Sequence, residues 1–386
     1  MLGQMHKKNF DIEKLRAIGV IYVILWHSSD IFLNRFGIRT EWFGSWTGVD
    51  LFFCISGYVI CRSLLAARQK LKVGTYLGSF YIRRILRILP SAFVCIFASV
   101  SLAFVMQRFG GRNFYYDTAR DAIPALFDYA NIADFYKTNN HGGTLLGIFW
   151  SLSLEEQFYL VIPLLVWFFR RDPRWLVPIL LPIALWQFFL DRAPWQTLAW
   201  SIRTDGLIYG VLIAVWQHSF KKQFSAISVL VSRISSKIAW IVMPILCFSL
   251  AIICSERARD YTRFSTGWAA ILGGIMVSLA SFDFGLLFPG RVASSIFLWI
   301  GSRSYSLYLY HNLVLVMIKG MNLHFWHVRL YLNNPVYYGL LLVATGMLAG
   351  VSEANYQFIE VPLRKFGGFL AAKVSGDENV DTGRRR

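Results

Sequence analysis

Apolar residues in this chain come in blocks of about twenty, separated by short polar connections rich in Lys and Arg. Ten such blocks run over residues 14–33, 47–64, 85–106, 148–169, 175–190, 204–218, 237–254, 265–281, 303–319 and 336–358. Windows of this length predict helices that cross a bilayer. Regular alternation of apolar and polar residues is missing, which argues against a membrane β-barrel. The expected fold is therefore all-α: a polytopic transmembrane helix bundle of about ten spans. It should fill residues 1–368, with the polar stretch 369–386 left as a disordered tail.

Charge then orients the bundle. With the N-terminus in the cytoplasm, the cytoplasmic segments hold 26 of the 39 Lys and Arg, and the opposite side holds 13. That excess predicts both termini inside. It also accounts for most of the net charge of +17 as a topology signal, with no call for nucleic acid. Only 16% of residues are charged against 56% hydrophobic, well below the roughly 25% charged of soluble domains. Cys54, Cys61, Cys95, Cys247 and Cys254 lie in apolar segments without metal-like spacing and read as small buried hydrophobes; no metal site is expected. The first apolar block is too long for a removable signal peptide and lacks a cleavage site.

Against so apolar a background, ionisable residues inside the spans stand out as candidate chemistry. In the first span, Arg16 and His27 are eleven residues apart, a rotation within about 20° of three full turns, so they share one helix face about 16 Å apart. Glu155 and Glu156 sit in WSLSLEEQFYL, early in the fourth span. If the spans begin and end where the blocks do, Glu155 and His27 lie at matching depth, about 9–10 Å from the outer edge. Glu155 is then expected to fix the tautomer of His27 and free its other nitrogen as a base. FYIRRILRILP opens the third span with Arg83, Arg84 and Arg87, a suitable grip for phosphate. Further candidates are Asp50 in GVDLFFCISGY, Asp205 in RTDGLIYG, where Arg203 is its nearest opposite charge, and His311 in SYSLYLYHN. Ser56 and Gly57 fall mid-span and read as a close helix contact.

In their order and spacing these stretches resemble the acyltransferase-3 family of integral-membrane O-acyltransferases, over about residues 9–366. The HN that closes SYSLYLYHN departs slightly from the family pattern. The resemblance implies a multi-pass enzyme of a bacterial inner (cytoplasmic) membrane that moves an acyl group, commonly acetyl, from cytoplasmic acyl-CoA. The acceptor would be a hydroxyl of a cell-surface or exported glycan, such as lipopolysaccharide or exopolysaccharide, or of a lipid-linked saccharide. Carried over, His27 and Glu155 would be catalytic, and Arg16, Arg83, Arg84 and Arg87 would hold acetyl-CoA. Either direct transfer with His27 as base or an acyl-histidine intermediate satisfies the residues. A rival reading from another class is a proton-coupled transporter or flippase of a lipid-linked sugar, with Arg16, His27 and Glu155 as a proton relay. No inverted repeat or pair of Gly/Pro-broken spans supports it.

Overall fold

The computed structural model describes residues 9–29, 43–67, 72–108, 114–136, 144–190, 192, 197–232, 236–255, 258, 264–285, 287–288, 290–321 and 335–376. Among these residues all regular structure is helical. The helices are α1 (Phe10–His27), α2 (Gly48–Ala66), α3 (Val73–Gln107), α4 (Phe114–Leu126), α5 (Ala130–Tyr136), α6 (Phe149–Phe168), α7 (Leu176–Phe188), α8 (Leu198–Ser201), α9 (Asp205–Ser219), α10 (Lys221–Ser232), α11 (Ser236–Ile253), α12 (Ser265–Ala280), α13 (Arg291–Ser302), α14 (Ser304–Met321), α15 (Pro335–Asn355) and α16 (Val361–Ser375).

Each of the ten apolar blocks falls on a helix. Among the described residues, four stretches are long and apolar enough, by length and composition, to cross a membrane: Ser45–Ala66, Val73–Gln107, Phe149–Phe168 and Leu198–Ser219. The outer surfaces of α3, α6 and α7 expose Phe93, Phe97, Leu160, Val161 and Trp186, as helices of a membrane-embedded protein do.

Three boundaries differ from the pattern. The first helix stops at His27 rather than near residue 33; Ser28 still donates its N–H to the Ile24 carbonyl, but its own backbone (φ −96°, ψ 0°) has left the helix. The remainder of that block lies outside the described residues from Asp30 onward. The third helix starts at Val73, twelve residues before its apolar block, so Arg83, Arg84 and Arg87 sit well inside a continuous helix of 35 residues. The expected tail after residue 368 is instead helical as far as Ser375: α16 buries Gly367, Ala371 and Ala372. Its apolar spacing gives it a face for α3, where Gly367 lies against Leu86 and Ile82. The rest of the expected tail, residues 377–386, lies outside the described residues.

The connection between the third and fourth blocks folds back into the bundle. Ala130 donates its N–H to Ser153 of α6, and Gln157 bonds both the Asp128 carbonyl and Asn131. Gln157 is eight residues into α6, so the α4–α5 turn reaches about 12 Å down that helix. Backbone at this depth survives because protein groups satisfy it.

α2 and α9 pack with their backbones in close approach. A Cβ on Gly57 would strike the Leu207 carbonyl, and one on Gly210 the Cys54 carbonyl. The mid-span close approach expected at Gly57 is therefore built against α9.

Candidate functional site

α6 and α14 run antiparallel, and their hydrogen bonds fix the register of the site. The Tyr308 hydroxyl meets Ser151 Oγ at 2.6 Å and the Ile148 carbonyl at 3.0 Å. Asn312 Nδ2 donates to the carbonyls of Leu145 and Thr144, at 3.0 and 3.3 Å. The unusual HN ending of SYSLYLYHN thus ties down the entry to the fourth motif. Along this ladder Glu155 lies on one side of the Ser151–Tyr308 contact and His311 on the other, about 10 Å apart along the axis.

His311, not Glu155, meets His27. Their ring centroids are 4.8 Å apart, edge to face. His27 Nδ1 lies 2.9 Å from the Val23 carbonyl, and His311 Nδ1 lies 2.6 Å from the Tyr308 carbonyl. A carbonyl oxygen only accepts, so each ring carries its proton on Nδ1 and leaves Nε2 unprotonated when neutral. His311 is fully buried, and among the described residues its Nε2 has no hydrogen-bond partner; His27 is only partly buried. His311 stands ten residues, about 15 Å, before the end of α14, so the pair is sunk inside the bundle. Lys319, further along α14, is in electrostatic range of His27.

Glu155 makes no hydrogen bond to His27. Its Oε2 accepts from Tyr159 at 2.8 Å and Ser56 at 3.1 Å. The expected matching depth fails because α1 ends at His27 and α6 enters in the register set by α14. Glu155 belongs instead to the Arg16 end of α1, where it is in electrostatic range of Arg16 and Arg84. Arg84 lies 5.3 Å over the Tyr159 ring and 5.8 Å over Phe80. Arg87, one turn on, is in electrostatic range of Arg16, Arg84, Glu360 and Arg364. Arg83 points outward and is exposed, so two of the three arginines of FYIRRILRILP face this cluster. Arg16 pairs with Glu13 at 3.5 Å and keeps a buried Nε that has no hydrogen-bond partner among the described residues. Three guanidinium groups with spare donors are a fitting cradle for a polyphosphate.

Asp50 and Asp205 are committed elsewhere, and not to the partners their sequence neighbours suggest. Arg203 Nε binds Asp50 at 3.1 Å, while Asp205 binds Arg192 at 2.8 Å. Residues two apart at a helix start point away from each other, so each charge finds its partner on another segment. The Arg203 guanidinium is fully buried, 3.6 Å from the Trp200 ring centroid and 4.7 Å from Trp150. Both acids therefore hold the scaffold together.

Sequence reasoning missed Tyr159 and the role of Ser56. The E-x-x-x-Y spacing of Glu155 and Tyr159 puts them on one helix face and could have found the first. It also missed a buried network in which Asn355 Nδ2 donates to Ser306 and Ser91, and Ser306 donates to Glu360 in a π-helical turn. No local pattern marks residues so far apart.

A family model for an acyltransferase domain, of the acyltransferase-3 type, matches residues 9–351. The chain belongs to this acyltransferase-3 family. Its similar relatives include the peptidoglycan O-acetyltransferase OatA of Listeria monocytogenes, 29% identical over 95% of this chain and 58% of the relative. The putative peptidoglycan O-acetyltransferase YrhL of Bacillus subtilis is 26% identical over 94% of this chain and 56% of its own length. The O-acetyltransferase OatA of Staphylococcus aureus is 28% identical, over 94% and 59%. The chain thus spans less than two thirds of the length of these relatives. No solved structure matches it. The family match ends inside α15, so the π-helical turn and α16 lie beyond it.

Proposed function

We propose that this chain is the membrane part of an O-acetyltransferase that moves an acetyl group from acyl-CoA to a hydroxyl of a cell-wall or other surface glycan. One observation carries the reading: a single face of α1 bears Arg16 at one end and His27 about 16 Å away, with Arg84 and Arg87 gathered at the Arg16 end. Likeness to the named O-acetyltransferases supports acetyl as the group and a cell-wall glycan as acceptor.

In this reading Arg16, Arg84 and Arg87 hold the CoA phosphates at the cytoplasmic face of a bacterial inner membrane. The pantetheine arm follows α1, and its thioester reaches His27. His27, locked by the Val23 carbonyl, takes the hydroxyl proton on Nε2 as the oxygen attacks the thioester carbonyl. The C–S bond breaks, the acetyl ester forms on the acceptor, and the proton passes to the CoA thiolate. The same Nε2 also suits an acyl-histidine relay. His311, packed on the ring, holds it in place. Glu155, with Ser56 and Tyr159, orders the arginine cluster and does not orient the base.

Membranes carrying the protein, incubated with radiolabelled acetyl-CoA, test this. Alkali-labile label on glycan is expected, and its loss in His27→Ala with the protein still inserted. Label that stays on CoA in wild-type membranes supplied with glycan would remove the proposal.

A further inference from the structure

Glu156 follows Glu155 on α6 but faces about 100° away from it. It lines a cavity of about 460 Å³ between α3, α6 and the α4–α5 turn, shared with Asp128 and Tyr305. Cavities of this size hold small organic molecules. Its rim includes Phe93, Val94 and Leu126, all exposed on the outer surface of the bundle, so the cavity opens sideways to the bilayer.

The polar groups inside are in want of partners. Among the described residues no hydrogen bond reaches the carboxylate of Glu156 or that of Asp128. The Tyr305 hydroxyl is already given to the Ile88 carbonyl. Carboxylates facing an apolar cavity cost free energy until something donates to them. Glu156 is in electrostatic range of the like-charged Asp128 and Glu155 as well as of Arg84 and Arg87. What the two carboxyl groups lack is hydrogen-bond partners. A head rich in hydroxyls supplies them, and a hydrocarbon chain fits the exposed rim.

We infer that this cavity is a side entrance for the acceptor, and that it takes a saccharide carried on a hydrocarbon chain. The sugar hydroxyls donate to Glu156 and Asp128 while the chain lies against Phe93, Val94 and Leu126. The inference rests on the O-acetyltransferase reading and names the form in which the acceptor arrives.

The test uses the full chain in lipid nanodiscs with a polyprenyl-phosphate-linked hexosamine that bears a diazirine near the head of its chain. Irradiation is expected to label peptides holding residues 88–96 and 123–128. Glu156→Gln, nearly isosteric, should cut labelling and raise the KM for this acceptor about tenfold, a larger rise than in the KM for acetyl-CoA. Ala92→Trp, which fills the cavity, should abolish labelling. Labelling at other helices only, or unchanged yield and KM in Glu156→Gln, overturns the inference. So does competition by plain phospholipid as effective as competition by unlabelled probe. The function itself fails separately: wild-type protein would acetylate neither this probe nor a water-soluble saccharide.

Discussion

His27 owes its position to local events and its company to distant ones. α1 ends at the imidazole, and the Val23 carbonyl one turn back sets its tautomer without a carboxylate. His27→Ala should lower acetyl transfer about 100- to 10,000-fold, the span typical of a lost general base, with unchanged elution on size exclusion. The arginines separate by the direction in which they point. Arg84→Ala should raise the KM for acetyl-CoA about 10- to 100-fold, as loss of a charge-assisted hydrogen bond does, and leave kcat nearly intact. Arg83→Ala, on the outward face, should change neither. Equal effects of the two substitutions would break the assignment of the phosphate cradle.

At the scale of helices, the scaffold is held by close backbone contact and by buried charge. Gly57→Leu would push α2 off α9 and should cost at least about 1–3 kcal/mol, read as a lower thermal midpoint in detergent. Arg203→Met leaves Asp50 uncompensated among aromatic rings and should cost about 3–5 kcal/mol. The double variant Arg203→Met with Asp50→Leu should recover much of that loss. A midpoint of the double variant below that of Arg203→Met would show that the pair is not the source of the stability. The glycine contact was readable in the sequence because small residues mid-span announce it. The Asp50–Arg203 pairing was not, since 153 residues separate the partners and Asp205 offered a nearer one.

For the whole molecule, the register of α6 on α14 divides the site into an arginine end and a histidine end. α16, packed along the stretch of α3 that bears the arginines, fixes which way that stretch faces. Truncation after Glu360 should therefore weaken acetyl-CoA binding as well as lower the thermal midpoint. Orientation is tested by cysteine labelling in intact cells on a cysteine-free background. Lys72→Cys and Ser375→Cys should react only after permeabilisation, and Tyr136→Cys before it. The reverse pattern would place the arginine end on the outer side and exclude cytoplasmic acyl-CoA as donor.

By itself the sequence determined where the ten apolar helices lie to within a few residues at most ends, which family they belong to, and that Arg16 and His27 share a face. Those properties follow from local rules: apolar block length and a fixed turn of about 100° per residue. Only the tertiary structure decided that His27 meets His311, that Glu155 joins Ser56 and Tyr159, and that the α4–α5 turn dips into the bundle. Such meetings depend on the axial register and crossing of helices remote in the chain, and small shifts in helix ends change which side chains come level.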